Sequence, residues 1–139
     1  MSEHVEFTVP GSIQQERKRH VRRGKFQRRV DTKEAADWKT RAAAWALQAM
    51  QKAGLKPLDG PLMLEATWYR PKPKSWRKAD NLPHKKPDLD NYCKLLDDAL
   101  TGIVFVDDAR IVTAVLRKRF DAQERVEVRV SVETEEAVS

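Results

Sequence analysis

The stretch Lys86-Pro87-Asp88-Leu89-Asp90-Asn91 carries two carboxylates two positions apart. Pro87 keeps its predecessor out of a helix, so Asp88 and Asp90 are expected in extended chain. There, alternation points both carboxylates one way and turns Leu89 to the core. Asp90 also stands where a helix N-cap should be, and Lys94 lies one turn further along the same helical face. A second acidic pair, Asp107-Asp108, follows the apolar run Ile103–Val106 and precedes a strand. A ten-residue helix is ~15 Å long, and the eight residues Thr101–Asp108 reach up to ~26 Å, so the second pair is able to return to the first. Three convergent carboxylates ~4 Å apart repel by ~4 kcal/mol per pair at a surface-like dielectric, far above the ~1 kcal/mol an N-cap contributes. A divalent cation would offset that cost. Oxygen ligands without thiolate or imidazole favour Mg²⁺, with Mn²⁺ as a substitute, over zinc. Taken singly, each Asp is equally a cap or turn residue. His4, His20 and His84 have no ligand spacing and are assigned to the surface.

The charge around these acids has the opposite sign. Of 139 residues, 27 are Lys or Arg and 21 Asp or Glu, a net charge of +6. Arg17, Lys18, Arg19, Arg22, Arg23, Lys25, Arg28 and Arg29 crowd eight of thirteen successive positions. A second cluster, Arg70, Lys72, Lys74, Arg77, Lys78, Lys85 and Lys86, is interrupted by one acid, Asp80. Two basic clusters favour a polyanionic partner over a solvated face. Phosphates that bind Lys and Arg are repelled by Asp unless a metal lies between. Hydrolysis of a phosphodiester therefore accounts for both signs at one site. A DNA-binding module explains the basic clusters and leaves the acids without a role. Phe26, alone among basic residues, either stacks on an unpaired base or packs down on the sheet. An Asp-x-Asp of the glycosyltransferase kind is excluded, because the chain has no room or pattern for a nucleotide-sugar domain.

Several elements must position these groups, and the expected class is α+β, helices packed on a mixed sheet, in one domain spanning 1–139. Val5–Val9 reads as a short strand closed by Pro10-Gly11. Residues 14–30 read as a basic loop or irregular hairpin around Gly24. Asp31 is the expected N-cap of a helix running to about Lys52, with Glu34 completing a capping box. Trp38, Ala42, Trp45, Ala46, Ala49 and Met50 form its buried face. Leu62–Tyr69 is a strand with Leu62, Leu64, Ala66 and Trp68 on one face. Residues 70–87 hold four of the seven prolines and form a Pro/Lys-rich loop, a length usually tied to function or disorder. Asn91–Leu100 is a short helix. Ile111–Phe120 and Arg125–Val132 are strands, the latter with clean valine alternation. The acidic tail 133–139 is expected to fray. No apolar run is long enough to span a membrane, and Met1–Glu6 lacks the basic start and apolar stretch of a signal peptide. A single cysteine, Cys93, excludes an intramolecular disulfide and suits the cytoplasm.

The run Lys86-Pro87-Asp88-Leu89-Asp90-Asn91-Tyr92-Cys93-Lys94, then Asp98-Ala99-Leu100-Thr101-Gly102, then Asp107-Asp108-Ala109-Arg110-Ile111-Val112, resembles the RusA family of Holliday-junction resolvases. These endonucleases act in DNA recombination and repair and are often carried by phages and prophages. The family pattern K-P-D-x-D-N-x-x-K, D-A-L-x-G and D-D opening a strand is complete here. Arg117-Lys118-Arg119-Phe120 extends it, and Val9-Pro10-Gly11 adds a less specific likeness. The resemblance implies that Asp88, Asp90 and Asp108 are metal-binding catalytic carboxylates and Lys94 is the basic residue beside the scissile phosphate. Asp107 would orient a water or cap the turn, and Asn91 would fix the loop through backbone hydrogen bonds. It further implies a Mg²⁺-dependent homodimer nicking opposed strands of four-way junction DNA. Two symmetric cuts from a chain with one acidic site also favour a C2 pair. Contacts to DNA are expected from Arg17–Arg29, Phe26 included, and from Lys74, Arg77, Lys85 and Lys86. Two alternatives stay open, a less selective nuclease on branched DNA or RNA and a non-catalytic DNA-binding module.

Overall fold

The computed structural model describes residues 3–133 of the chain. Their order is β1 (His4–Pro10), β2 (Lys18–Arg23), β3 (Phe26–Asp31), α1 (Lys33–Ala53), β4 (Leu62–Arg70), α2 (Leu89–Leu100), β5 (Ile111–Phe120) and β6 (Arg125–Val132). A mixed four-stranded sheet in the order β1-β6-β4-β5 carries the two helices, and β2 and β3 form a separate hairpin. The expected α+β class is what the chain adopts. The acidic tail falls almost entirely outside the described residues, which stop at Glu133. No described helix is long and apolar enough to cross a membrane.

The core follows the two sequence periods. Leu62, Leu64, Ala66 and Trp68 of β4 and Val126, Val128 and Val130 of β6 are buried on one sheet face, the period-two signature of strands covered on one side. Against them pack Ala35, Trp38, Ala42, Ala46 and Met50 of α1, and Tyr92, Leu95, Leu96, Ala99 and Leu100 of α2. Trp68 and Tyr92 stack with ring centroids 5.5 Å apart, joining β4 to α2. The opposite sheet face is polar, with Glu6, Thr8, Glu65, Thr67, Arg117, Glu127 and Arg129 around a shallow depression. β4 and β5 are parallel, so the chain between them must cross back over the sheet. That crossover consists of residues 71–88, α2 and the turn before β5.

Four expectations change. Trp45 is 41% exposed: at ~100° per residue it sits roughly 80° from the centre of the Ala35–Met50 stripe. Thr32, not Asp31, caps α1, its hydroxyl accepting from the Ala35 N–H at 3.3 Å. Asp31 instead ends β3 and takes Lys18 at 2.5 Å and Lys39 as partners. Residues 14–30 take the hairpin about Gly24, the second of the two readings, but a regular one, with Lys18–Arg23 and Phe26–Asp31 paired in unbroken antiparallel register. Finally, α2 begins at Leu89 with Asp88 as N-cap. Asp88 and Asp90 are therefore related through the first helical turn and not through strand alternation, although Leu89 does pack against the core.

Candidate active site

Asp88 occupies the N-cap position with extended backbone, φ −73° and ψ 150°, yet its side chain makes no capping hydrogen bond. The carboxylate is left free. The preceding peptide bond, Lys86–Pro87, is cis. The loop that delivers Asp88 is tied down by Lys118, on the helix-covered face of β5 beside Trp68. Its Nζ donates to the carbonyl oxygens of Lys85 at 2.8 Å and Pro87 at 2.9 Å. Burial holds the Lys118 ammonium below its usual value, while the charge of Asp88 pulls the other way. Further back, Trp76 gathers the loop. Phe120 meets it edge-on and His84 lies tilted against it, each with centroids 5.2 Å away. Lys85 Nζ is 4.6 Å from the ring centroid, a cation–π distance. Residues 71–87 are irregular, as their prolines require, but cross-braced.

Asp90 and Lys94 are exposed on α2, one turn apart. Asn91 joins α2 to the N-terminal segment through its backbone, its carbonyl accepting from the Glu16 N–H at 3.0 Å. As a result the basic hairpin stands beside the first turn of α2. Glu16, Lys18, Arg29, Asn91 and Lys94 line one groove of about 510 Å³. Lys94 thus shares its surroundings with Lys18 and Arg29, basic groups some seventy residues earlier in sequence.

Asp108 opens a single 3₁₀ turn, Asp108–Arg110, capped by Asp107, whose carboxylate accepts from the Ala109 N–H at 3.0 Å. That bond, together with one to Asp108, lowers Asp107. Hydrogen bonding to Asp107, with some desolvation and the charge beside it, raises Asp108. The field of Asp108 reaches α2. Burial pushes Asp97 up to about 6, with Asp108 the next contributor. Burial also pushes the Cys93 thiol up to about 12, assisted by Asp97, Asp108 and Asp90. Asp90 and Asp108 therefore both bear on Cys93, which itself donates weakly to Asp97 at 3.7 Å, whereas Asp88 bears on Lys118. Among the described residues no three His, Cys, Asp or Glu side chains are gathered closely enough to hold a metal. Nor does any of Asp88, Asp90, Asp97, Asp98, Asp107 or Asp108 have a salt-bridge partner there; of the other aspartates Asp37 also has none, while Asp31, Asp59, Asp80 and Asp121 do.

Sequence reasoning passed over Asp97 and Lys118. Asp97 lies seven residues beyond Asp90, on the same helical stripe, which was a usable signal. Lys118 stood in the Arg117–Phe120 likeness without a role, since that role depends on which sheet face the parallel β4–β5 pairing turns inward.

Two comparisons with known proteins bear on the family of the chain. A Bacillus subtilis (strain 168) protein named "Uncharacterized protein YqaN" is 33% identical over 138 residues, covering 91% of this chain and 94% of that one. The family described as Endodeoxyribonuclease RusA matches residues 10–131, from the end of β1 into β6 and across every acid and base just placed. The chain belongs to the RusA endodeoxyribonuclease family.

Proposed function

We propose that the protein is a divalent-metal-dependent endonuclease that resolves four-way DNA junctions in recombination and repair, working as a homodimer in the cytoplasm. Asp88, Asp90 and Asp108 would hold the cation, Mg²⁺ or in its place Mn²⁺, which would draw them closer than they stand in the metal-free chain, and Lys94 would neutralise the phosphate that is cut. One observation carries the reading: in an endodeoxyribonuclease family member, six aspartates within 21 positions have no cationic partner among the described residues. Neighbouring basic groups serve the hairpin and the loop. The donors fit a hard cation, since they are carboxylate oxygens, with the Asp88 oxygens unused by the cap they occupy. Hydrogen bonding to Asp107, with desolvation and the charges of Asp107 and Asp98, raises Asp108, a penalty a bound cation would relieve.

When bound, Mg²⁺ supplies an acidified water and charge neutralisation at phosphorus. Lys94, with Arg29 across the groove, binds the phosphate backbone and fixes which phosphorus faces the acids. The Lys118 clamp on Lys85 and Pro87 holds Asp88 against recoil. Water then displaces the 3′-oxygen in line. A second protomer, related by a two-fold axis, would make the symmetric cut.

The test is cleavage of a synthetic four-way junction with Mg²⁺, beside duplex and single-stranded controls. Asp88→Asn and Asp108→Asn are expected to lower cleavage by at least about 100-fold, the scale for losing a group that acts in the transition state. They should keep or tighten junction binding, because phosphate repulsion is relieved. Full cleavage by either variant overturns the assignment, and equal rates on all three substrates overturn junction selectivity.

A further inference from the structure

The β2–β3 hairpin is more than a strip of positive charge. Its register pairs Arg19 with Val30, Val21 with Arg28 and Arg23 with Phe26 on one face. Each cross-strand pair on that face joins one guanidinium to one apolar side chain. Together they line a groove of about 650 Å³ whose exposed lining is mostly apolar. Phe26, next to the turn, is 81% exposed and packs on nothing, so it does not fold down onto the sheet. With Val21 and Val30 the ring forms a contiguous apolar strip beside the guanidiniums, the kind of exposed patch that marks a binding surface.

The base of the hairpin is fixed. Thr32 N–H donates to the Arg17 carbonyl at 3.0 Å, and Glu16 N–H to the Asn91 carbonyl at 3.0 Å. Asp31 is clamped between Lys18 and Lys39, both of which hold its carboxyl below the usual range. Strands of six residues span ~20 Å at ~3.4 Å per residue. The ribbon is thus anchored beside the first turn of α2 and carries its aromatic tip away from it.

We propose that this hairpin inserts at the branch point of the junction and stacks Phe26 on a nucleobase freed from its neighbours. Val21 and Val30 extend the apolar floor, and Arg19, Arg23 and Arg28 hold the flanking phosphates. The occupant is a nucleotide because the face alternates the two things a nucleotide needs, an apolar surface for the base and a fixed cation for the phosphate. A protein partner would have to present acids at the same alternation. This inference rests on the junction reading above and names the element that recognises the branch.

The experiment uses the full chain in EDTA, where no cleavage occurs, with four-way junctions carrying 2-aminopurine at the branch point or in mid-arm. Wild-type protein should raise emission at least threefold at the branch and leave the mid-arm probe unchanged. Phe26→Ala should bind the junction within threefold of wild type by anisotropy and lose that rise, and Phe26→Trp should still perturb the branch probe. An undiminished rise with Phe26→Ala at saturating binding overturns the inference. So does a wild type that binds the junction without affecting the probe. If such a wild type still cuts the junction with Mg²⁺, the junction reading stands and only the hairpin assignment falls. If it neither binds nor cuts, both fall.

Discussion

Burial within α2 and the nearby charge of Asp108 push the Asp97 carboxyl up to about 6, so its ionised form is disfavoured in the folded chain. A carboxyl raised in this way leaves the fold undisturbed below the ordinary carboxylate range and costs stability as pH rises through about 6. Asp97→Asn removes that cost and leaves an amide oxygen to accept from Cys93. The metal-free variant should therefore melt higher than wild type at pH 7.5 and at the same temperature at pH 4. Discounted for the water that still reaches the group, the gain is roughly 1–2 kcal/mol, measurable by thermal melts across the pH series. An equal difference at both pH values would show that packing, and not ionisation, is responsible. Residue-level chemistry was partly legible in advance. Asp88, Asp90, Lys94 and Asp108 are recognisable by type and spacing. The burial of Asp97 is not, because one acid of the Asp97-Asp98 pair faces inward and the other outward only once α2 is docked.

At the level of elements, the periodic pieces were readable and the connecting chemistry was not. Leu62–Trp68 and Val126–Val132 alternate cleanly, and the Trp38–Met50 stripe follows the helical period, so β4, β6 and α1 could be placed from pattern alone. The hairpin about Gly24 was one of two open readings, and its regular pairing was obscured because its strands alternate arginine with arginine or glutamine as often as with an apolar residue. Nothing distinguishes its two faces until the register pairs Arg23 with Phe26. The helix starts were misplaced by one residue at α1 and by two at α2, since Asp31-Thr32 and Asp88 to Asp90 each offer adjacent capping types. Least visible was the bracing of residues 70–87 by Trp76 and Lys118, which connects groups far apart in sequence. That bracing predicts the effect of Lys118→Met. Two carbonyls lose a charged donor worth ~1.5–3 kcal/mol in comparable bonds, and the loop should loosen while the sheet stays intact. Chymotrypsin is expected to cut after Trp76 several-fold faster in the variant, and junction cleavage should drop with unchanged far-UV circular dichroism. Unaltered proteolysis would show that the Trp76 cluster holds the loop without help.

For the molecule as a whole, positive charge is concentrated in two elements, the hairpin and the loop before α2, flanking the stretch where the aspartates lie. Binding to DNA should then be dominated by counterion release. With about six phosphates neutralised, log K is expected to fall against log salt with a slope near −5. A flat response in a salt titration by anisotropy would remove electrostatics as the source of affinity. The sheet order has one more consequence. Among the described residues β5 has β4 as its only strand neighbour, so a row of its peptide groups faces outward, a template on which another copy could lay a strand and seed a filament. Arg117, Lys118 and Arg119 crowd the last third of that border. Two such margins meeting head to head would press cation against cation, which keeps the molecules dispersed in dilute buffer and makes concentrated brine the condition in which clumping would begin.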